Sequence, residues 1–570
     1  MQVKRPAGAG ALACPEKKDL MELEIPEKVA AALLATVDQQ SQLSRHLADN
    51  ASGRGTRLIS SRHLDAAALD TLSELGRAAG ERGLMFQLLA LDNLSNETQS
   101  RPIASLELLI PALVTWLARE RIDGWLYRRG SDGVLLPWLV QSVRHVQPSD
   151  GTSYVVVGLL ANTMQAASRD APADPRLRFT NMTYGISFYA EDLPGRTLAG
   201  LFADEGFFKE CPEFKREHEV DLQRFHQMQP KFGAQFTARG SCYMAGDGPR
   251  PVLEAVRLPA GSHVRCVNDE ELLDRRFDLT ADPQYWRDAG IASGFERIPQ
   301  HAYLHLFHLD LHRHLWVHVQ QLDDYHYRPE LRDKLVLPQA HRDLVDILTA
   351  DRSFLVEDMV PGKSGGTTIL CKGAPGLGKT LTAEVYAEVV GKPLYRVHSG
   401  QLGVTAGSVE SSLSQILRRA ARWDCVLLLD EADVYIRRRD NDLQHNAIVA
   451  EFLRSLEYFS GLLFMTTNRV ADIDDAILSR CIAVIAYETP CAADAMRLWT
   501  SLASQIGADL PDELVRALVA TYPRASGRDI KQLLLLTTKF CRRKHIALNE
   551  QAFAQCAVFR GLDIDAGAAP

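Results

Sequence analysis

A glycine-rich loop between an apolar strand and a helix constrains the fold of this chain more than any other feature. Residues 367–372 (TTILCK) predict a buried strand, and Gly373–Thr380 then match the pattern GxxxxGK[ST]. A helical run begins at Leu381. The glycines let backbone N–H groups curl around phosphate oxygens, and the helix N-terminus adds partial positive charge. The sequence therefore predicts a phosphate-binding loop on a parallel α/β sheet.

The residues of this loop have different expected roles. Lys379 is expected to contact the β- and γ-phosphates of ATP, and the Thr380 hydroxyl is expected to bind Mg²⁺. A second Gly-Lys-Ser, at 362–364, lacks the leading glycine and a preceding strand, so we do not expect it to bind phosphate. The other residues expected to surround the ATP phosphates are Gly373, Ala374, Pro375, Gly376, Leu377, Gly378 and Leu381.

Two further apolar strands end in polar residues. Residues 426–429 (VLLL) are followed by Asp430 and Glu431, and residues 462–467 (LLFMTT) by Asn468. A central parallel strand delivers the residues at its carboxyl end to the ligand edge of the sheet. Asp430 is expected to hold Mg²⁺ through its water shell, and Glu431 to orient and polarise the attacking water. Asn468 is placed to hydrogen-bond the γ-phosphate or that water, although Asn-Arg at a strand end is also a common turn.

Together with residues 475–480 (DAILSR), these segments resemble the AAA+ ATPases, in the AAA (ATPases associated with diverse activities) group. The resemblance covers about 335–557. It implies a P-loop NTPase core with a C-terminal helical lid, and an active site shared between protomers of a ring, usually a hexamer. Asn468 then matches sensor 1, and Arg480 matches the arginine finger, which acts in trans on the ATP of the neighbour. Arg528 falls where the lid carries sensor 2, although members of the group often lack an arginine there.

The sequence departs from the family in one stretch. Many ring translocases grip a peptide with an aromatic residue in the loop after the second strand, but residues 401–408 (QLGVTAGS) contain no aromatic residue. This departure argues against polypeptide threading that depends on stacking. The basic runs at 437–439 and 542–545 leave three alternatives: a pore lining, a nucleic-acid contact or a solvated surface.

Composition excludes several classes of protein. The 570 residues carry 64 Lys+Arg against 72 Asp+Glu, a net charge of −8, which disfavours a general polyanion binder. The 10 cysteines form no CxxC pair, which predicts a reducing, cytoplasmic setting. The apolar run 106–118 contains Glu107 and Pro111 and is too short to span a membrane.

Changes in pattern along the chain predict its domains. The fold class is α/β, a P-loop NTPase sheet preceded by helical and mixed α+β domains. We expect strands at 84–91, 124–128, 134–146, 153–160 and 183–189. The predicted units are a helical N-terminal segment with loose first residues (1–83), one or two β-rich α+β domains (84–328), the ATPase core (329–487), a helical lid (488–560) and a loose tail (561–570).

Seven histidines lie in the stretch 301–326. On a strand, His314, Trp316 and His318 share one face and Leu315, Val317 and Val319 the other. The histidines are therefore expected to mark the polar side of an amphipathic strand. The alternative is a metal site, which requires ligands that converge in space.

The sequence predicts an Mg²⁺-dependent ATPase that forms a ring and remodels a protein or complex, selected through residues 84–328. The alternatives are a nucleotide-switched factor that acts on DNA or RNA, which the acidic balance disfavours, and an assembly scaffold. No motif names the substrate.

Overall fold

The fold was analysed in a computed structural model. It describes residues 22–562 except 38–40, 50, 53–54, 82, 86, 89–101, 119–120, 131, 150, 165–180, 246–252, 260–263, 271–296, 351–365, 404, 440 and 458. The Gly-Lys-Ser at 362–364, the predicted loose N-terminus and most of the tail lie outside these residues. Among the helices that the structure describes, none combines the length and apolar character that crossing a bilayer requires.

The ATPase core is built on a parallel five-stranded sheet in the order β17-β18-β19-β16-β20. Its strands are β16 (Thr367–Gly373), β17 (Leu394–His398), β18 (Val426–Asp430), β19 (Leu462–Thr467) and β20 (Ala483–Tyr487). Strands β18 and β19 are buried along their whole length. Continuous apolar sequence is expected of parallel strands covered on both faces. The α/β core predicted from the sequence is confirmed.

Helices cover both faces of this sheet and form the lid. In the core they are α7 (Leu331–Lys334), α8 (Gln339–Ala350), α9 (Lys379–Val390), α10 (Ala406–Trp423), α11 (Asp433–Ile436), α12 (Leu443–Glu457) and α13 (Asp475–Arg480). The lid has its own apolar cluster around Trp499 and Phe553. Its helices are α14 (Ala492–Gln505), α15 (Asp512–Thr521), α16 (Gly527–Lys544) and α17 (Glu550–Val558).

The region before the ATPase core contains two antiparallel sheets within the described residues, and we call residues 103–328, which hold these sheets, the middle domain. The first has the order β7-β6-β5-β4-β8 and the second β11-β10-β14-β13-β12-β9-β15. Tyr303 and Trp316 of the second sheet are part of the same apolar cluster as the first sheet. The strands are β4 (Trp125–Arg129), β5 (Leu135–Val146), β6 (Tyr154–Asn162), β7 (Asn181–Tyr189), β8 (Phe207–Lys209), β9 (Gln235–Ala238), β10 (Ser241–Ala245), β11 (Leu253–Arg257), β12 (Val264–Asn268), β13 (Tyr303–His308), β14 (Arg313–His318) and β15 (Leu322–Asp324).

In the described part of this region, the α-helices beside these sheets are α4 (Leu106–Ala118), α5 (Leu198–Asp204) and α6 (Pro212–Met228). The predicted strands at 124–128, 134–146, 153–160 and 183–189 are confirmed within a few residues. The strand predicted at 84–91 is wrong, because residues 83–85 and 87–88 are helical and Leu84 packs into the N-terminal core. A short apolar run does not distinguish a buried strand from a buried helix.

The prediction that the histidines mark a polar strand face is wrong. Leu315 and Val317 do face one apolar cluster and Trp316 the other, so the alternation is as expected. Both faces are packed, however, and His301 and His318 are buried. Burial lowers the pKa of each of these two histidines to about 3, so both are neutral at physiological pH.

The sequence predicts a helical N-terminal segment, but the structure shows strands there as well as helices. The predicted helices are present as α1 (Glu27–Thr36), α2 (Gln42–Asp49) and α3 (Ala66–Ala78). They pack on a small sheet of β1 (Glu22–Pro26), β2 (Ala51–Ser52) and β3 (Thr56–Ser60), in the order β1-β3-β2. These strands are too short to show a periodic pattern, and β1 pairs with β3 across 30 to 38 residues of sequence.

The middle domain and the ATPase core share one apolar cluster, which contains Val267, Phe307 and Leu309 of the former. Trp423, the last residue of α10, packs on Phe307 with ring centroids 4.9 Å apart, and its indole N–H donates to Asp269 Oδ1 at 2.9 Å. Arg422 Nη2 donates to the same oxygen at 2.8 Å. Burial opposes the ionisation of Asp269, but the hydrogen bonds from His314 and Trp423 outweigh it and lower the pKa of the carboxyl. We call this contact the Asp269 junction.

Candidate functional site

The loop predicted to bind phosphate joins the end of β16 to the start of α9, as the sequence pattern required. The ammonium of Lys379 lies inside the loop and donates to Gly373 O and Ala374 O, both at 2.7 Å. It also donates to Asn468 Oδ1 at 3.0 Å, which joins the loop to the tip of β19. Burial lowers the pKa of Lys379. The structure thus brings Lys379 and Asn468 together.

Thr380 and Asp430 also meet, as predicted for two residues that share a metal ion. The Thr380 hydroxyl donates to Asp430 Oδ1 at 2.9 Å, and Thr466 donates to the same oxygen at 2.6 Å. The other oxygen, Oδ2, accepts from Arg396 Nη2 at 2.6 Å. Burial opposes the charge on Asp430, but the hydrogen bonds from Thr466 and Thr380 and the Arg396 guanidinium outweigh it, and the pKa lies below its ordinary value. The carboxylate is therefore anionic at neutral pH.

Glu431 follows Asp430 in an unusual backbone conformation. Its φ is 57°, in the left-handed region that residues other than glycine rarely adopt. The Glu431 N–H donates to Thr466 Oγ1 at 3.0 Å, which helps to hold this conformation. The side chain is exposed at the carboxyl edge of the sheet. Backbone strain of this kind is concentrated at functional sites.

Asp433 connects the tips of two strands, a role that the sequence analysis did not assign. Its Oδ1 accepts from the Asn468 N–H at 3.0 Å and from the Thr467 hydroxyl. The residue fixes the backbone of Asn468 relative to Asp430 and Glu431. Its place three residues after Asp430, at the same strand end, is a signal that could have identified it.

Arg396 was also missed. It lies in the middle of β17, where it pairs with Leu428 rather than ending at the ligand edge. Besides Asp430, it contacts Glu384 Oε1 at 3.4 Å. The signal available in the sequence was a charged residue inside a short, otherwise largely apolar strand.

The lid lies directly on the phosphate-binding loop. The Arg528 N–H donates to Gly376 O at 3.2 Å, near the start of α16. Gly376 has a φ of 83°, and a Cβ there would lie 2.6 Å from Ser526 Oγ and 2.9 Å from Arg528 Cβ. Only glycine fits this approach. The structure therefore brings Arg528 to the loop, as the sequence predicted.

Arg480 is exposed, and unlike Arg528 it does not contact the phosphate-binding loop of its own chain. Its Nη1 donates to Ala476 O at 3.2 Å within α13, and its Nη2 lies 3.7 Å from Glu457. In these contacts Arg480 meets neither the loop nor Asp430 of its own chain.

The basic run 437–439 supports the helix that carries Arg480. Arg438 pairs with Asp475 at 3.2 Å and Arg439 with Asp474 at 2.8 Å. Both partners lie at the start of α13, so these ion pairs fix the N-terminal end of that helix against residues 438–439. These pairs weaken the nucleic-acid alternative for the run.

The stretch 401–408, where ring translocases carry an aromatic residue, is anchored to the core. The Tyr435 hydroxyl contacts Ser399 O at 2.8 Å and Gly403 O at 3.0 Å, and Leu402 is buried. Thr405 then caps α10.

Comparison with known proteins identifies relatives of the ATPase half. Residues 369–489 match the model of the ATPase family associated with various cellular activities (AAA). The chain is 34% identical over 128 residues to the uncharacterized AAA family ATPase y4kL of Sinorhizobium fredii, which covers 21% of this chain and 38% of the relative. It is 27% identical over 227 residues to the ATP-dependent zinc metalloprotease FtsH of Chlamydia trachomatis, covering 36% and 24%. The chain thus spans well under half the length of either relative.

Among solved structures, a chain of the HORMA:CdnC:Trip13 complex of E. coli MS115-1 is 19% identical and has a TM-score of 0.34. The match covers 40% of this chain and 91% of that one.

Proposed function

Residues 369–489 form an AAA ATPase domain, and from this premise we propose that the protein binds ATP with Mg²⁺ and hydrolyses it. The observation that carries the proposal is the hydrogen bond between Thr380 and Asp430 beside the buried ammonium of Lys379. A hydroxyl, an anionic carboxylate and an ammonium meet at the edge of the sheet where the loop curls. These are the groups that bind the phosphates of a nucleoside triphosphate and its metal ion.

The residues present fit Mg²⁺. Thr380 and Asp430 offer hard oxygen donors, which suit this ion better than nitrogen or sulfur ligands do. When bound, Mg²⁺ neutralises negative charge on the β- and γ-phosphates. Arg396 contacts Asp430 Oδ2 and keeps the carboxylate charged and oriented.

The groups of this chain can then assist attack by water on the γ-phosphate. Lys379 contacts the phosphate oxygens, and Asn468, which Lys379 and Asp433 hold in place, hydrogen-bonds the γ-phosphate or the water. Glu431 accepts the proton of the attacking water. Arg528 approaches the loop from the lid and adds positive charge on that side.

We propose that the active form is a ring in which Arg480 of one chain acts on the ATP bound by its neighbour. An exposed arginine whose contacts lie in its own helix and on Glu457 is placed to serve a neighbouring chain. A guanidinium that neutralises the transferring phosphoryl group contributes several orders of magnitude in rate. Placing it on a neighbour makes hydrolysis depend on assembly. A hexamer is the form usual in the family.

Remodelling of a protein or complex is the proposed use of this hydrolysis, with the middle domain as the part that selects the target. The continuous apolar cluster between the two domains supports this use, because motion in one is transmitted to the other. The missing aromatic residue in 401–408 favours remodelling without threading through a stacked aromatic grip.

The test is the substitution Glu431→Gln, which keeps the shape of the side chain but removes its capacity to accept a proton. We expect ATP turnover to fall by about 10²- to 10⁴-fold while the affinity for a fluorescent ATP analogue is kept. The matched control is Glu513→Gln, an exposed glutamate in the first turn of α15. Unchanged turnover in Glu431→Gln would remove the general-base role. Loss of nucleotide binding would indicate damage to the loop instead.

A further inference from the structure

Three neighbouring strands of the middle domain bring an Asp-His-His set to one face of their sheet, far along the chain from the residues of the nucleotide site. Asn268 ends β12 and pairs with Leu306, so the next residue, Asp269, points to the opposite face, that of His305. The Asp269 N–H donates to His305 O at 3.1 Å. Across the β13–β14 pair, His305 lies diagonal to His314 on the same face, because His314 pairs with Phe307.

The donor atoms of these three side chains converge. His314 Nε2 lies 2.8 Å from Asp269 Oδ2, and the two imidazoles stack with centroids 4.7 Å apart and an interplanar angle of 11°. One donor atom from each residue lies within 4.8 Å of the others. In a tetrahedral zinc site with bonds of about 2.0–2.2 Å, ligand atoms are about 3.3 Å apart. To complete that geometry, one imidazole must move by up to about 1.5 Å and rotate out of the parallel stack, because a metal ion lies in the plane of each ring that binds it.

Other groups already orient the carboxylate. Arg422 and Trp423 donate to Oδ1 of Asp269, whereas His314 contacts Oδ2. Outer hydrogen bonds of this kind fix the direction of a ligating carboxylate. The His314 side chain is 28% exposed, which leaves a path for an ion and a position for water.

We propose that Asp269, His305 and His314 bind a divalent transition-metal ion, zinc by preference. Two imidazoles and one carboxylate suit zinc, whereas Ca²⁺ and Mg²⁺ prefer an all-oxygen set. The ion replaces the His314–Asp269 hydrogen bond and ties β12, β13 and β14 to one point. It strengthens the Asp269 junction, because the same carboxylate holds Arg422 and Trp423 of α10. This site is independent of the ATPase proposal.

The experiment measures zinc binding to the full-length protein without nucleotide. Every variant carries Cys491→Ser, because this exposed thiol would bind zinc by itself. Glutamine in place of His314 keeps a hydrogen-bond donor toward Asp269 but is a poor zinc ligand. We expect one zinc per chain by elemental analysis after dialysis, and at least a tenfold loss of affinity by calorimetry in His314→Gln and in His305→Gln. His326→Gln, an exposed histidine outside the set, is the control and should bind as the parent does.

Cobalt provides a second measurement. Co²⁺ bound at this site should give visible absorption bands that are lost in both glutamine variants and kept in the control. Circular dichroism must show that the variants are folded. The proposal is overturned if the folded parent protein binds neither zinc nor cobalt, or if His314→Gln and His305→Gln bind as tightly as the control. In that case the three residues form only a hydrogen-bonded junction.

Discussion

The ATPase core and the middle domain place their polar side chains differently. In the core, Asp430, Glu431 and Asn468 lie at the carboxyl ends of buried strands, where the sheet edge is open to a ligand. In the middle domain, His301 and His318 are buried where the two sheets pack. The first arrangement places charged groups at the ligand edge of a sheet, whereas burial keeps His301 and His318 neutral in the second.

The two regions therefore differ in where the partners of their polar groups come from. The groups of the ATPase core require an incoming nucleotide and, in our proposal, a second chain. Several polar groups of the middle domain have partners within the chain, as Asp269 does with Trp423 of the core. The proposed chemistry of the core therefore depends on molecules from outside the chain, whereas the middle domain is held to the core by contacts within it. Three experiments test this contrast, beginning with the largest expected effect.

The incompleteness of the ATPase core is tested by mixing two inactive variants. We expect Arg480→Ala to lower turnover by about 10³-fold, because the developing charge on the phosphoryl group loses its guanidinium. When it is mixed with Glu431→Gln, activity should recover well above the sum of the two, since an intact Arg480 then faces an intact Glu431. The measurement is the ATPase rate against mixing ratio.

The matched control for this experiment is Arg497→Ala, an arginine of the lid that pairs with Asp494 in its own helix. It should keep full activity. If mixing yields no recovery, or if Arg480→Ala is fully active, the shared site is wrong and the core is complete within one chain.

The packing of the middle domain on the ATPase core is tested by Trp423→Ala. We expect the substitution to cost about 3–5 kcal/mol, as truncation of a buried aromatic does, because it opens a cavity beside Phe307 and removes a donor to Asp269. Denaturation followed by circular dichroism should change from one transition to two, as the middle domain separates from the core. Trp499→Ala, equally buried but in the lid, should destabilise without that separation. Two transitions in the parent protein would contradict the prediction.

The neutral histidines are tested by acid. Burial lowers the pKa of His218 to about 4 and that of His301 and His318 to about 3, whereas an unfolded histidine has a pKa of about 6.5. Below about pH 6.5 the unfolded chain therefore binds protons that the folded chain does not. The contribution of these neutral histidines to the free energy of unfolding is fully present above that pH. It falls as the pH approaches 4, by about 1.4 kcal/mol per pH unit for each histidine.

Urea denaturation at pH 7.5, 6 and 5 measures this loss. The variant His301→Gln should show a shallower dependence on pH, since one of the three groups is removed. An identical slope in the parent and the variant would show that His301 takes up its proton equally in both states.

The sequence was informative where chemistry and fold make the same demand. The loop 373–380 and the strand tips at Asp430 and Asn468 could be predicted because a buried parallel strand must be apolar until it ends, so a polar residue there is conspicuous. Arg396 could not, because it lies inside its strand and its partner is 34 residues away. A charged residue inside a largely apolar strand is a local signal, but it does not reveal which distant group the arginine contacts.

The histidines show a second limit. Periodicity assigned residues 314–319 to the correct faces, but it cannot tell whether water or another sheet covers a face. The small N-terminal sheet shows a third, because β1 and β3 become strands only through each other. In each case the missing information was a contact between distant segments.

The edge strand β17 connects the two halves in one further way. Tyr395 packs against Phe307 of the middle domain at 5.7 Å, and the next residue, Arg396, holds Asp430. Neighbouring residues of a strand share one backbone, so a displacement imposed at Tyr395 also moves Arg396, which contacts the Asp430 carboxylate. Thermodynamic reciprocity then applies. If a molecule that binds the middle domain lowers the affinity of the protein for nucleotide by some factor, nucleotide must lower the affinity for that molecule by the same factor.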